Sequence, residues 1–140
     1  MFSKANIVST ILTAIWGLGG GFLLWGIIAE PLMADHMTLS GLIKEEPDMV
    51  WLAIGCIIQA FAFCTIYSKW GASGYSAMSG LTFGLWMGLM VGLGEGLIDF
   101  ATSNMMDMTG TLMGFAVYLV FFGITGLIAG LVYSKMGSAS

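Results

Sequence analysis

Hydrophobic and polar positions divide this chain into four long apolar stretches, Ile7–Ala29, Val50–Tyr67, Tyr75–Ile98 and Thr111–Tyr133, separated by short polar connections. Each is close to the ~20 residues a helix needs to cross the hydrocarbon core of a bilayer. They are apolar on every face, whereas the strands of a membrane barrel would show alternation within segments of ~10 residues. The pattern predicts an all-α protein, a single domain of four transmembrane helices over residues 1–140. Lys4 precedes the first stretch as it would in a secretory signal. That stretch is too long for a signal core, and no small-x-small site follows before Glu30 and Pro31, so it is expected to stay as the first span.

Composition removes other classes. Hydrophobic residues make up 58% of the chain and charged residues 9%, against about a quarter charged in an average soluble domain. Four Lys stand against eight acidic residues, with no Arg. Such a chain has no basic patch to neutralise phosphates, so nucleic acid is not an expected partner. Cys56 and Cys64 share the second span. Helical rise separates them by roughly 12 Å, too far for a disulfide.

Charge placement predicts topology. Lys4, Lys69 and Lys135 lie before the first span, after the second and after the fourth, whereas Glu30, Asp35, Glu45, Glu46, Asp48, Glu95, Asp99 and Asp107 lie in or beside the connections after spans one and three. The positive-inside bias puts both termini and the middle connection in the cytoplasm. Ser73 and Ser138 are then internal and Ser40 external. The sequence Tyr67-Ser68-Lys69-Trp70-Gly71 recurs as Tyr133-Ser134-Lys135-Met136-Gly137. Interfacial Tyr and snorkelling Lys suit the inner end of an inward-going helix. On this reading Tyr67, Trp70, Tyr75 and Tyr133 form an inner aromatic belt and Trp25 and Trp51 an outer one. Repetition of the motif suggests two tandem helical hairpins in the same orientation, a parallel pseudo-repeat. Convergence on a common interfacial ending is the alternative.

The third span carries Gly80, Gly84, Gly88, Gly92 and Gly96 at strict four-residue intervals. Residues at i and i+4 lie on one helix face, so the row predicts a groove for another helix backbone. Its occupant is expected to be the first span, through Gly17 and Gly21, or the fourth, through Gly126 and Gly130; a second copy of the chain is the alternative.

Few residues offer chemistry. Serine-hydrolase, zinc-peptidase, Cys-x-x-Cys and phosphate-loop motifs are missing from the sequence. No catalytic residue and no cofactor is expected. Glu95 and Asp99, spaced i, i+4 at the outer end of the glycine-rich span, form a candidate cation site with Glu30 and Asp35, because ionisable groups in a span mark ion or proton paths. Hydrated interfacial carboxylates are the simpler reading. His36, Met33, Met37, Met105, Met106 and Met108 make a methionine-rich outer region, and thioethers are soft ligands suited to Cu(I). Met is equally a flexible apolar filler.

The stretches FLLWGIIAEPLMADHM, EEPDMVWLAIGCIIQAFAFCTIYSKW and GLTFGLWMGLMVGLGEGLIDFATSNMMDMTG resemble a group of small bacterial four-span membrane proteins. That resemblance implies an inner-membrane protein of four helices and supplies no catalytic or binding residues. The functional expectation is a structural or accessory membrane subunit, partnered by the lipid bilayer and by other membrane subunits or itself. The alternative is a small cation channel or carrier, Cu(I) included.

Overall fold

The structure, a computed structural model, describes residues 2–39, 41 and 44–137. Ser40 and Ser138 therefore lie outside the described residues. Four helices are long and apolar enough to span a membrane: α1 (Lys4–His36), α2 (Met49–Trp70), α3 (Ala77–Thr102) and α4 (Met108–Met136). All four run on past the C-terminal ends of the apolar stretches; α1, α2 and α4 also start ahead of theirs, whereas α3 starts at Ala77, inside its stretch, and each start is set by a polar cap. The side chains of Ser3, Asp48, Ser76 and Asp107 accept hydrogen bonds from the first-turn backbone of α1, α2, α3 and α4, and Ser76 and Ser79 form a reciprocal capping box.

Two helices change winding partway. Phe22–Ala29 in α1 and Leu89–Glu95 in α3 are π-helical. The glycine row accounts for the use of this winding in α3. At 3.6 residues per turn, each four-residue step overshoots a full turn by ~40°, so five glycines would drift well around a straight α-helix. A π turn holds more residues, and a four-residue step there undershoots. The π segment begins one residue after Gly88 and brings Gly92 and Gly96 back toward the face shared by Gly80 and Gly84.

α4 is the central helix. In the most apolar window of each span, 44% of α4 residues are buried but only 17% of those in α2. α3 lies along α4 from Gly80 to Gly96. α1 crosses the bundle. Near its start Asn6 donates to Thr65 of α2, and Ser9 and Thr13 meet Cys64. Farther along, Trp16 donates to the Phe121 carbonyl of α4 and Trp25 packs edge-on against Tyr118 and Phe121.

The inner aromatic belt requires a correction. Tyr67 and Tyr133 are buried, packing edge-on against each other. The Tyr67 hydroxyl shares a 2.6 Å hydrogen bond with Ser79, in the first turn of α3; that of Tyr133 donates to the Cys64 carbonyl, and that of Tyr75 to the Ser68 carbonyl. The repeated motif thus supplies a polar-tipped aromatic core at the end of the bundle that carries Lys69 and Lys135, where each ring stays apolar and each hydroxyl finds a partner. Trp70 and Trp51 are exposed, at opposite ends of α2. Trp25 is drawn inward onto α4.

Candidate functional site

The glycine row of α3 faces α4. A Cβ at Gly80 would collide with the Gly126 carbonyl oxygen and lie 2.7 Å from the Gly130 Cα; one at Gly84 would collide with the Phe122 carbonyl oxygen. At Gly88 it would stand 3.0 Å from the Leu119 Cα, at Gly92 2.7 Å from the Tyr118 Cβ, and at Gly96 3.4 Å from the Thr111 methyl. The obstruction is mostly backbone. Among the candidate occupants, α4 fills the groove through Gly126 and Gly130, while Gly17 of α1 instead faces Cys56 of α2.

The first hairpin makes its equivalent seam with polar groups. Ser9 and Cys64 lie 3.0 Å apart, Thr13 donates to the Ser9 carbonyl at 2.8 Å, and Asn6, Ser9 and Thr13 are buried. Cys56 and Cys64 are both free thiols. Among the described residues, no buried side-chain nitrogen or oxygen lacks a hydrogen-bond partner. Asn6 and Ser9 meet α2, while Thr13, Thr111 and Thr125 also donate to carbonyls one turn back in their own helices.

The candidate cation residues all sit at the surface. Glu30, Asp35, Glu95 and Asp99 are exposed. Glu95 ends the π segment of α3, and Asp35 belongs to the tight turn that finishes α1. Among the described residues, no group of three or more His, Cys, Asp or Glu side chains is placed to hold a metal ion. An apolar groove of about 250 Å³ lies between α3 and α4, lined by Leu81, Leu85, Leu119, Gly123 and Leu127. It offers a ligand no charge.

The α1–α2 and α3–α4 connections are clipped together. Met37 and Met106 form an antiparallel bridge, flanked by the Asp107 N–H donating to the His36 carbonyl at 2.9 Å and the Thr38 N–H donating to the Met105 carbonyl at 3.0 Å. This makes Met37 and Met106 a pair without mutual backbone bonds, the arrangement that brings opposing side chains closest. His36 Nδ1 lies 2.8 Å from Asp107 Oδ2. A carboxylate only accepts, so Nδ1 carries the hydrogen. The backbone N–H of Gly110 and the His36 ring together hold the Asp107 carboxyl below its ordinary value of 3.8. The six candidate soft-metal residues are dispersed over different surroundings: Met33 is buried near Gly114, His36 leans on Gly110, Met37 and Met106 are half-buried, and Met105 and Met108 are exposed.

Sequence reasoning overlooked two features. The pairing of His36 with Asp107 depends on how the outer connections meet, which periodicity does not reveal. Gln59, in Ile57-Ile58-Gln59-Ala60, was visible as an amide in the middle of an apolar run. It is exposed. Comparison with known proteins finds no matching family model, curated protein or solved structure.

Proposed function

We propose that this chain is a non-enzymatic structural or accessory subunit of a membrane assembly, in the bacterial inner membrane, with both termini and the α2–α3 connection cytoplasmic. One observation carries the reading: the outer half of α2 has almost no cover from its own chain. From Met49 to Gln59 only Ala53 and Cys56 are even partly buried, while α4 is enclosed by its neighbours. A helix held at its inner end and uncovered at its outer end suits a subunit that lends a face to a partner. By span order Lys4, Lys69 and Lys135 fall on one side and Lys44 alone on the other, a three-to-one bias that supports the orientation. Extraction in mild detergent followed by light scattering tests the proposal. The expected protein mass exceeds that of one chain; a monodisperse single chain across several mild detergents overturns it.

A second reading, handling of a soft monovalent metal such as Cu(I) at the outer end, is favoured by the opposed Met37 and Met106 pair. Thioethers suit that ion. Titration with Cu(I) under reducing conditions tests it, with loss of binding in Met37→Leu/Met106→Leu expected if the pair holds the metal. Undiminished binding in that variant removes the pair from consideration.

A further inference from the structure

Gln59 is the eleventh of the 22 residues of α2, so at ~1.5 Å rise per residue it lies roughly 16 Å from either helix end. That is the middle of the bilayer. A glutamine side chain cannot reach the headgroups from there, and acyl chains offer neither donor nor acceptor. Among the described residues, the Gln59 amide has no hydrogen-bond partner and faces outward. It contrasts with Asn6, Ser9 and Thr13, which are buried against their own chain.

The surrounding face admits close approach. Gly55, one turn before Gln59, has nothing within 4 Å of the position a Cβ would take. Ala62 follows about one turn later and is also exposed. At 100° per residue, Gly55, Gln59 and Ala62 share one strip, away from the Ala60, Phe63 and Cys64 face that packs inward. A helix pressed on this strip could bring its backbone near Gly55 and a polar side chain to Gln59.

We infer that the exposed strip of α2 through Gly55, Gln59 and Ala62 is the contact of a parallel homodimer, with Gln59 of each chain hydrogen-bonding to Gln59 of the other across a two-fold axis. The primary amide makes a second copy the fitting occupant. It carries both a donor and an acceptor, so two copies satisfy each other reciprocally with no other residue type required. Every copy inserts with the same topology, so the strips meet in parallel at equal depth, as an isologous interface demands. The inference rests on the accessory-subunit reading and specifies the first partner.

Its test uses the full chain in lipid vesicles, with Cys56→Ala and Cys64→Ser as background. Energy transfer between copies labelled at Glu46→Cys is followed over a series of lipid dilutions. Gln59→Leu is expected to weaken self-association at least tenfold while leaving the melting temperature at or above the parent's, because the residue touches lipid in the monomer. Gln59→Asn retains most association. Oxidative cross-linking in cell membranes should join Ala62→Cys to itself and spare Ile57→Cys, which lies on another side of α2. Undiminished transfer in Gln59→Leu, or equal cross-linking at residues 57 and 62, overturns the homodimer. Failure of self-transfer with Ala62→Cys cross-linked to a different chain overturns the homodimer while leaving the accessory reading standing. Failure of self-transfer with no adduct removes both.

Discussion

Replacing Gly84 with Ala tests the α3–α4 seam with a single methyl group. A Cβ there would lie 2.8 Å from the Phe122 carbonyl carbon and nearer still to its oxygen, where ordinary contact begins at 3.4 Å. Both atoms are backbone in the middle of a helix, so no rotamer change can clear them. The helices must part by at least about half an ångström, a gap that forfeits a quarter or more of each local contact of ~0.1–0.2 kcal/mol. Over roughly forty such atom pairs the loss is about 1–3 kcal/mol, the range measured for inserting a methylene into a packed core. Helix propensity returns up to about 1 kcal/mol, since Ala is favoured over Gly in a helix. From the middle of that range, with the full propensity return, the net expectation is a loss of about 1 kcal/mol for Gly84→Ala. Gly88→Leu, with the Leu119 Cα 3.0 Å from the new Cβ and three more carbons to place, should lose more. Gly21→Ala is the control: nothing lies within 4 Å of its Cβ position, so it keeps the propensity gain with no clash. Thermal melts in one detergent should place Gly84→Ala below the parent and Gly21→Ala at or above it. A Gly84→Ala protein that melts with the parent, or two variants that shift alike, would refute the seam.

Topology comes next: in the cysteine-substituted background, a membrane-impermeant thiol reagent applied from outside should label Glu46→Cys but not Ser73→Cys, and labelling at residue 73 would reverse the orientation. The outer clip gives a pH signature. The Asp107 carboxyl is held below its ordinary value by the Gly110 N–H and the His36 ring, so its contribution is fully present above that value and is lost as pH falls through the lowered folded one. The melting difference between the parent and Asp107→Asn should therefore be constant near neutrality and shrink only as pH falls below the ordinary carboxyl value of 3.8; a difference that instead vanishes between pH 5 and 7 would assign the effect to another group. For the exposed carboxylates, melts of the parent and of Glu95→Gln/Asp99→Asn in Na⁺, K⁺, Ca²⁺ and Cu⁺ at matched ionic strength should show no ion-specific shift, because solvated charges respond to screening alone. A shift for one ion that disappears in the double variant would restore the cation site.

The number of spans was legible because lipid exposure demands unbroken apolar helices, and such runs show plainly in a sequence. Their ends were misjudged by several residues. Hydropathy follows apolar side chains, whereas helix starts are set by polar caps: Ser3, Asp48 and Asp107 start α1, α2 and α4 ahead of the apolar runs, and Ser76 starts α3 after Tyr75. Glycine spacing foretold a close approach along α3 but could not choose between α1 and α4, since both carry four-spaced small residues. That choice is made by what surrounds the row: Gly126 and Gly130 present bare backbone to Gly80, while α1 is drawn across the bundle by Trp16 and Trp25. The tyrosines were misplaced for a related reason. Tyr at the end of an apolar run signals an interface in a lone helix, but three such rings brought to one end of a bundle bury one another.

The repeated Tyr-Ser-Lys motif acquires more content from the contacts around it. In the first hairpin Ser9 and Thr13 meet Cys64 and Gly17 meets Cys56; in the second Ser76 and Gly80 meet Gly130 and Gly84 meets Phe122. Each second-hairpin pair is the first-hairpin pair displaced by about one hairpin length, as the Tyr67 and Tyr133 motifs are. The π segments Phe22–Ala29 and Leu89–Glu95 follow the same displacement. Convergence on an interfacial ending would repeat the motif alone, with no reason to repeat the helix pairing and the change of winding, so these coincidences favour two copies of one hairpin. The two hairpins differ in how they close. Trp16 and Trp25 cover α4 by packing on Phe121 and Tyr118. The corresponding cover for α2 would come from Phe83 and Gly92, but Gly92 has no side chain and Phe83 packs inward on Phe63 and Tyr67. Gly55 stands on α2 where Phe121 stands on α4. With no ring at Gly55 or Gly92 and Phe83 packed on the other half of α2, the stretch from Met49 to Gln59 leans on its own chain only through Ala53 and Cys56, and Gln59 stays exposed.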